Sequence, residues 1–176
     1  IVLLFGALFF FFLKKTQKIE LKETPIQPVQ TETSPSTENS EEAFKKIFTH
    51  PVPSPYKNRV QKYEISSEKG TAFTGMILVF PQPAIPVETI NFVVSTQLYA
   101  VPQINTVKGI FETAKEPVLI EFLPLKLEKE TSEKIWIGSF TPDAPLPIGE
   151  LRVKIEAYDQ NDSVIDVLYV PLEVKG

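Results

Sequence analysis

The 176-residue chain has no cysteine, one histidine and a slight acidic excess, 22 Asp and Glu against 18 Lys and Arg. Without cysteine there are no disulfides, thiolate metal sites or thiol nucleophiles. Without a basic patch there is nothing to follow a phosphate backbone, so no nucleic-acid partner is expected.

The chain opens on an almost unbroken apolar run, Ile1 to Leu13, closed by Lys14 and Lys15. Spanning a hydrocarbon core of about 30 Å takes roughly 20 apolar residues at 1.5 Å rise each. Residues 1–15 therefore read as the trailing part of a transmembrane signal-anchor segment, N-terminally incomplete. A cleaved signal peptide would exit through small residues, whereas Phe12-Leu13-Lys14-Lys15 stands here. A pilin-like helix would carry Glu at the fifth position, which is Phe5. The lysines by themselves favour a cytoplasmic C-terminal side. The cargo downstream weighs the other way, and the expected location is extracytoplasmic, at a cell surface or in a periplasm.

Residues 16–60 change character. Lys, Glu, Thr, Gln, Ser and Pro dominate the first part, with Pro25, Pro28 and Pro35 spaced through it. Too few large apolar residues occur to offset ordering entropy, so a disordered, extended tether is expected. Within it, Ser40 to Phe48 differs. Ser40 can cap a helix, Glu41 and Glu42 suit its N-terminal end, and Lys45 and Lys46 follow. Phe44, Ile47 and Phe48 share one face, predicting a short amphipathic helix near 41–48 that docks on the domain or a partner. Pro51, Pro53 and Pro55 then form a stiff connector.

From residue 61 to 176 the period becomes two. Leu151, Val153, Ile155 and Ala157 point one way, with Arg152, Lys154, Glu156 and Tyr158 opposite. Leu168, Val170, Leu172 and Val174 repeat the pattern, and the turn residues Asp159 to Ser163 join the two runs into a hairpin. Further strands are expected at Phe73–Phe80, Ile90–Leu98, Thr106–Phe111, Val118–Leu127 and Lys134–Phe140. About seven strands without interleaved helices predict an all-β antiparallel sandwich.

The runs Ile135-Trp136-Ile137-Gly138-Ser139-Phe140-Thr141-Pro142, Leu146 to Val153 and Ala157 to Asp162 resemble the Ig-like or fibronectin-type-III-like domains of prokaryotic surface proteins. The likeness covers residues 70–176 at most. Leu151 stands where a tyrosine corner would place Tyr, Val153 where an antibody domain has its second Cys, and Trp136 lies late in the strand order. The resemblance implies an Ig-like β-sandwich and adhesion, spacing or protein binding, and it implies no catalysis.

Four groups of residues are candidate sites. His50, between Thr49 and Pro51, would have to serve any triad or imidazole metal site; it has no second imidazole and no Gly-x-Ser-x-Gly elbow beside it. Asp159, Asn161, Asp162 and Asp166 are close enough in sequence to hold Ca²⁺, although a hairpin tip also collects Asp and Asn without a metal. Asn161-Asp162-Ser163 matches an N-glycosylation sequon. Glu128 to Lys134 reads as a solvated loop. Trp136, Tyr158 and Tyr169, with Phe140 and Tyr99, are candidate binding aromatics, ordinary packing being the alternative.

The expected function is that of a non-enzymatic, membrane-anchored protein whose Ig-like domain binds a protein partner, without a cofactor. The alternatives are a structural subunit of an envelope or filament assembly, favoured by an apolar patch, and a carbohydrate-binding accessory module, favoured by an aromatic row on one sheet face.

Overall fold

A computed structural model of the chain describes residues 29–36, 39–48, 52–65, 71–100, 102–111, 117–125 and 132–176. The expected membrane segment at 1–15 lies outside them. Among the described residues no helix is long and apolar enough to cross a membrane.

The seven expected strands form: β4 (Phe73–Phe80), β5 (Ile90–Gln97), β6 (Thr106–Phe111), β7 (Val118–Leu125), β8 (Glu133–Phe140), β9 (Gly149–Tyr158) and β10 (Val164–Val174). Three further strands precede them. β1 (Val29–Thr31) and β2 (Thr33–Pro35) lie in the stretch whose composition predicts a disordered tether, and β3 (Gln61–Ile65) follows the connector. The correction has a physical reason. Backbone N–H and C=O groups pair whatever side chain they carry, so a polar stretch can still close a sheet.

The ten strands make one sheet in the order β1-β10-β9-β6-β7-β8-β5-β4-β3-β2. The terminal strands of that order, β1 and β2, are separated in the chain by Glu32 alone, so the sheet rolls up into a nearly closed barrel. β7 makes the corresponding turn on the other side, its first half pairing with β6 and its second half with β8. Strands that bend from one half to the other cover edges that would otherwise offer unpaired backbone.

The interior follows the period-two pattern. Ile77, Val79, Ile90, Phe92 and Val94 meet Val107, Phe111, Ile120, Phe122 and Trp136, and Val153, Ile155, Leu168, Val170 and Leu172 complete the cluster. Phe111 and Phe140 stack with centroids 5.2 Å apart. A side chain on Gly138 would come within 2.8 Å of the Phe122 ring, so glycine here lets that ring lie against β8. Gly75 (φ +71°) sits where the β4–β5 register shifts, and Ser95 stitches this bulge through hydrogen bonds with the Thr74 and Met76 backbone.

β4 and β5 carry nearly continuous apolar runs because both their faces are covered. The helix α1 (Ser40–Ile47) lies over the outer face and buries Ala43 and Phe44 against Leu78, Phe80, Val93 and Ile135. Phe44 meets Phe80 edge-on with centroids 5.4 Å apart. The expected amphipathic helix thus docks on the domain itself. Its cap is Asn39, one residue before the expected Ser40; the Asn39 side chain accepts from Glu41 N at 3.0 Å.

Candidate functional site

A groove and an apolar patch of the described surface are candidate ligand sites. The first is a groove of about 360 Å³ lined by Gln30, Thr31, Glu32, Thr33, Arg152, Tyr169 and Pro171. One wall is the β1–β2 strand and the other is the outer face of β9 and β10. Tyr169 is half-buried and faces outward, as its parity in β10 predicts, while Arg152 and Glu32 are exposed. Neither charge has a salt bridge among the described residues. Thr33 Oγ1 donates to Tyr169 O at 2.9 Å and so ties the strand to the groove floor. The lining combines an aromatic face, a proline, a guanidinium, a carboxylate and an amide. That set suits an extended polar segment better than a purely apolar ligand.

The second feature lies at one end of the barrel. Ile85 is 47% exposed, Val87 60% and Ile148 70%, so packing among the described residues leaves them open. Their loops are held together. Leu146 N donates to Pro86 O at 2.8 Å, and Ala84 pairs with Val174. Arg59 grips Glu88 through both carboxylate oxygens, at 3.1 and 2.6 Å, and also donates to Pro83 O at 2.6 Å. The patch is therefore rigidly presented. It sits opposite the end where the described chain enters, because Val29 pairs with Asp166, near the start of β10.

Of the five candidate aromatics, Trp136 and Phe140 are buried, Tyr99 is exposed in the turn after β5, and Tyr158 and Tyr169 do not form a row. Trp136 is 2% exposed and points into the barrel, where Nε1 donates to Thr96 Oγ1 at 2.9 Å. It is a core residue and offers no surface for stacking, because it shares the inward parity of Gly138 and Phe140. Tyr158 and Tyr169 share the outer face, but Tyr169 pairs with Lys154, four residues from Tyr158, which places them about 13 Å apart along the strand.

Tyr158 belongs to a polar network. Its hydroxyl donates to Glu156, and Lys154 Nζ lies 2.6 Å from the other Glu156 oxygen. Lys108 Nζ sits 4.6 Å above the Tyr158 ring. Burial first, then the Glu156 carboxylate, pushes the phenol up to about 12 from 10.0. The raised value means the protonated phenol is the form the fold favours. Its stabilising contribution is complete below about pH 10 and is lost as pH rises towards 12. Ultraviolet titration is expected to show one phenol ionising near pH 12, and Glu156→Gln is expected to bring that midpoint part of the way down towards 10.

Of the four candidate calcium ligands, Asp159, Asn161 and Asp162 share the hairpin turn, and Asp166 lies apart, buried on β10. Asp159 caps the hairpin turn, its Oδ1 accepting from Asn161 N at 2.8 Å and Ser163 N at 3.0 Å. The Ser163 bond, then the one from Asn161, outweighs desolvation and holds the carboxyl below its usual range. Asn161 and Asp162 are exposed in the turn. Asp166 is wholly buried and accepts from Thr31 Oγ1, Ala72 N, Phe73 N and Val167 N. Its oxygens are committed to the fold, and among the described residues no three acidic or histidine side chains converge on a point that could hold a metal. His50 and most of the Glu128–Lys134 loop lie outside the described residues.

Sequence reasoning singled out Tyr169 but missed its groove neighbours Gln30, Glu32 and Arg152. The only signal for them was parity: Arg152 alternates outward on β9, as Tyr169 does on β10. No protein-family model matches the chain, and no curated protein matches it in sequence.

Proposed function

We propose that the chain is a non-enzymatic, membrane-anchored binding protein. Its apolar N-terminal segment holds it at the outer side of a membrane, and an Ig-like domain makes the contacts, its two sheet halves reading as a β-sandwich whose edges β7 and β1–β2 bridge. Two features support the Ig-like reading. β10, β9 and β6 pair in sequence on one half while β4, β5 and β8 pair on the other. The chain after β4 then crosses to run parallel to the end of β10 at Ala84.

The observation that carries the binding reading is the groove beside Tyr169. An aromatic face stands there with Arg152 and Glu32, two charges that the fold leaves uncommitted among the described residues. A protein segment with both an acidic and an apolar residue fits it. A photo-crosslinking residue at Glu32 in the membrane-bound chain tests this. A discrete protein adduct is expected, reduced about tenfold or more by Arg152→Glu with Tyr169→Ala, without a change in melting temperature. An adduct insensitive to those changes, or none, would count against the groove; a glycan captured there in place of a protein would favour the accessory-module reading.

The apolar end favours a second reading, that of an assembly subunit. Ile85, Val87 and Ile148 lie at the end opposite to where the described chain enters the barrel, an exposed apolar patch of the kind that marks contact sites. Concentration-dependent association abolished by Ile148→Glu would support it.

A further inference from the structure

We infer that the cleft between β10 and β3 is a strand-acceptor site, and that Val29–Pro35 of a second copy of this chain exchanges with the chain's own strand there. The strand is held differently from its neighbours. Three positions pair with β10 and three with β3, with Glu32 unpaired between them. Gln30, Glu32, Ser34 and Pro35 are exposed, and Thr31 is buried. From Gln30 to Pro35 the strand carries no large aliphatic or aromatic side chain, so the apolar burial that anchors β4, β5 and β10 is missing over that stretch. What holds β1–β2 is backbone pairing and two hydroxyls, Thr31 on Asp166 and Thr33 on Tyr169 O.

An empty cleft would be costly. Departure of the strand strips pairing from β10 on one side and β3 on the other, and takes one of the four donors from the buried Asp166 carboxylate. Open edges recruit strands. The strand that refills this cleft must run parallel to β10 and antiparallel to β3, and it must bring a hydroxyl within reach of Asp166. The same segment of another copy meets all three conditions by identity, which is the usual economy of a domain swap. In the exchanged pair the Gln30–Thr33 wall of the groove comes from the other molecule.

The chain's lack of cysteine makes the test clean. Gln30 and Val167 are direct partners in the parallel register. Val167 is 3% exposed, so a passing molecule does not reach it while the strand is in place. Full chains carrying Gln30→Cys or Val167→Cys, mixed in detergent micelles under mild oxidation, are expected to form a disulfide-linked pair. The link should form faster than between Gln30→Cys and Lys175→Cys, a collision control at an exposed position. Adding Thr31→Val to the Val167→Cys chain is expected to speed the link about tenfold, since it removes a hydrogen bond to a charged group. A single chain carrying both cysteines is expected to close on itself. If it closes while the mixture links no faster than the collision control, exchange does not occur. If it fails to close, the register on which the inference rests is itself wrong.

Discussion

Replacing Asp166 with alanine is expected to lower the unfolding free energy by about 3–5 kcal/mol. This wholly buried carboxylate ties three regions together. It accepts the Thr31 hydroxyl from β1, the Ala72 and Phe73 amides at the entry to β4, and the Val167 amide of its own strand. Alanine would leave donors buried without acceptors, and an orphaned buried donor costs about 1–3 kcal/mol. An amide in place of the carboxylate would keep one acceptor oxygen but present an NH₂ group to donors. Asp166→Asn is therefore expected to cost less than alanine but still more than about 1 kcal/mol. Urea denaturation of the three proteins measures this. A loss below about 1 kcal/mol for alanine would mean the carboxylate is not the junction its hydrogen bonds describe.

Trp136→Ala is expected to cost about 3–5 kcal/mol, the range for emptying a large aromatic site in a core. The indole is among the largest fully buried side chains of the barrel, between β5 and the second half of β7. Its Nε1 satisfies Thr96, which is itself wholly buried. Lys134 Nζ lies 4.2 Å above the ring, and burial holds that ammonium below the usual lysine range. Trp136→Phe keeps most of the apolar contact and loses the hydrogen bond, for an expected cost of about 1–2 kcal/mol. Calorimetric melting distinguishes the pair. Equal losses for both variants would place the energy in the hydrogen bond and not in the packing.

The alternating strands were legible where one face is wet, whereas β4 and β5, covered on both faces, read as nearly continuous apolar runs. Leu151 to Tyr158 shows the pattern most plainly, and all seven expected strands appear. The amphipathic helix was legible to within one residue, since Asn39 and Ser40 are both good caps. The strands β1 and β2 were not legible. Gln30 to Pro35 buries little, and backbone pairing leaves no mark on composition; the β-branched residues Val29, Thr31 and Thr33 at alternate positions were the only hint. Asp166 misled in a different way. Proximity to Asp159 and Asp162 suggested a shared ion site, yet Asp166 continues the inward parity of Leu168 and Val170. Parity was the stronger signal, and it also placed Trp136 inside. The groove could not be foreseen, because one of its walls is the strand that composition assigns to a spacer.

Protease accessibility of the full chain in cells, measured beside a chain lacking residues 1–15, tests the membrane-anchored reading most directly. The full chain is expected to sediment with membranes and to be cleaved by protease added outside, to cells or to spheroplasts. The shortened chain is expected to leave the membrane fraction with its barrel folded. A full chain that stays in the soluble fraction, or one whose domain is shielded until the inner membrane is opened, would contradict that reading.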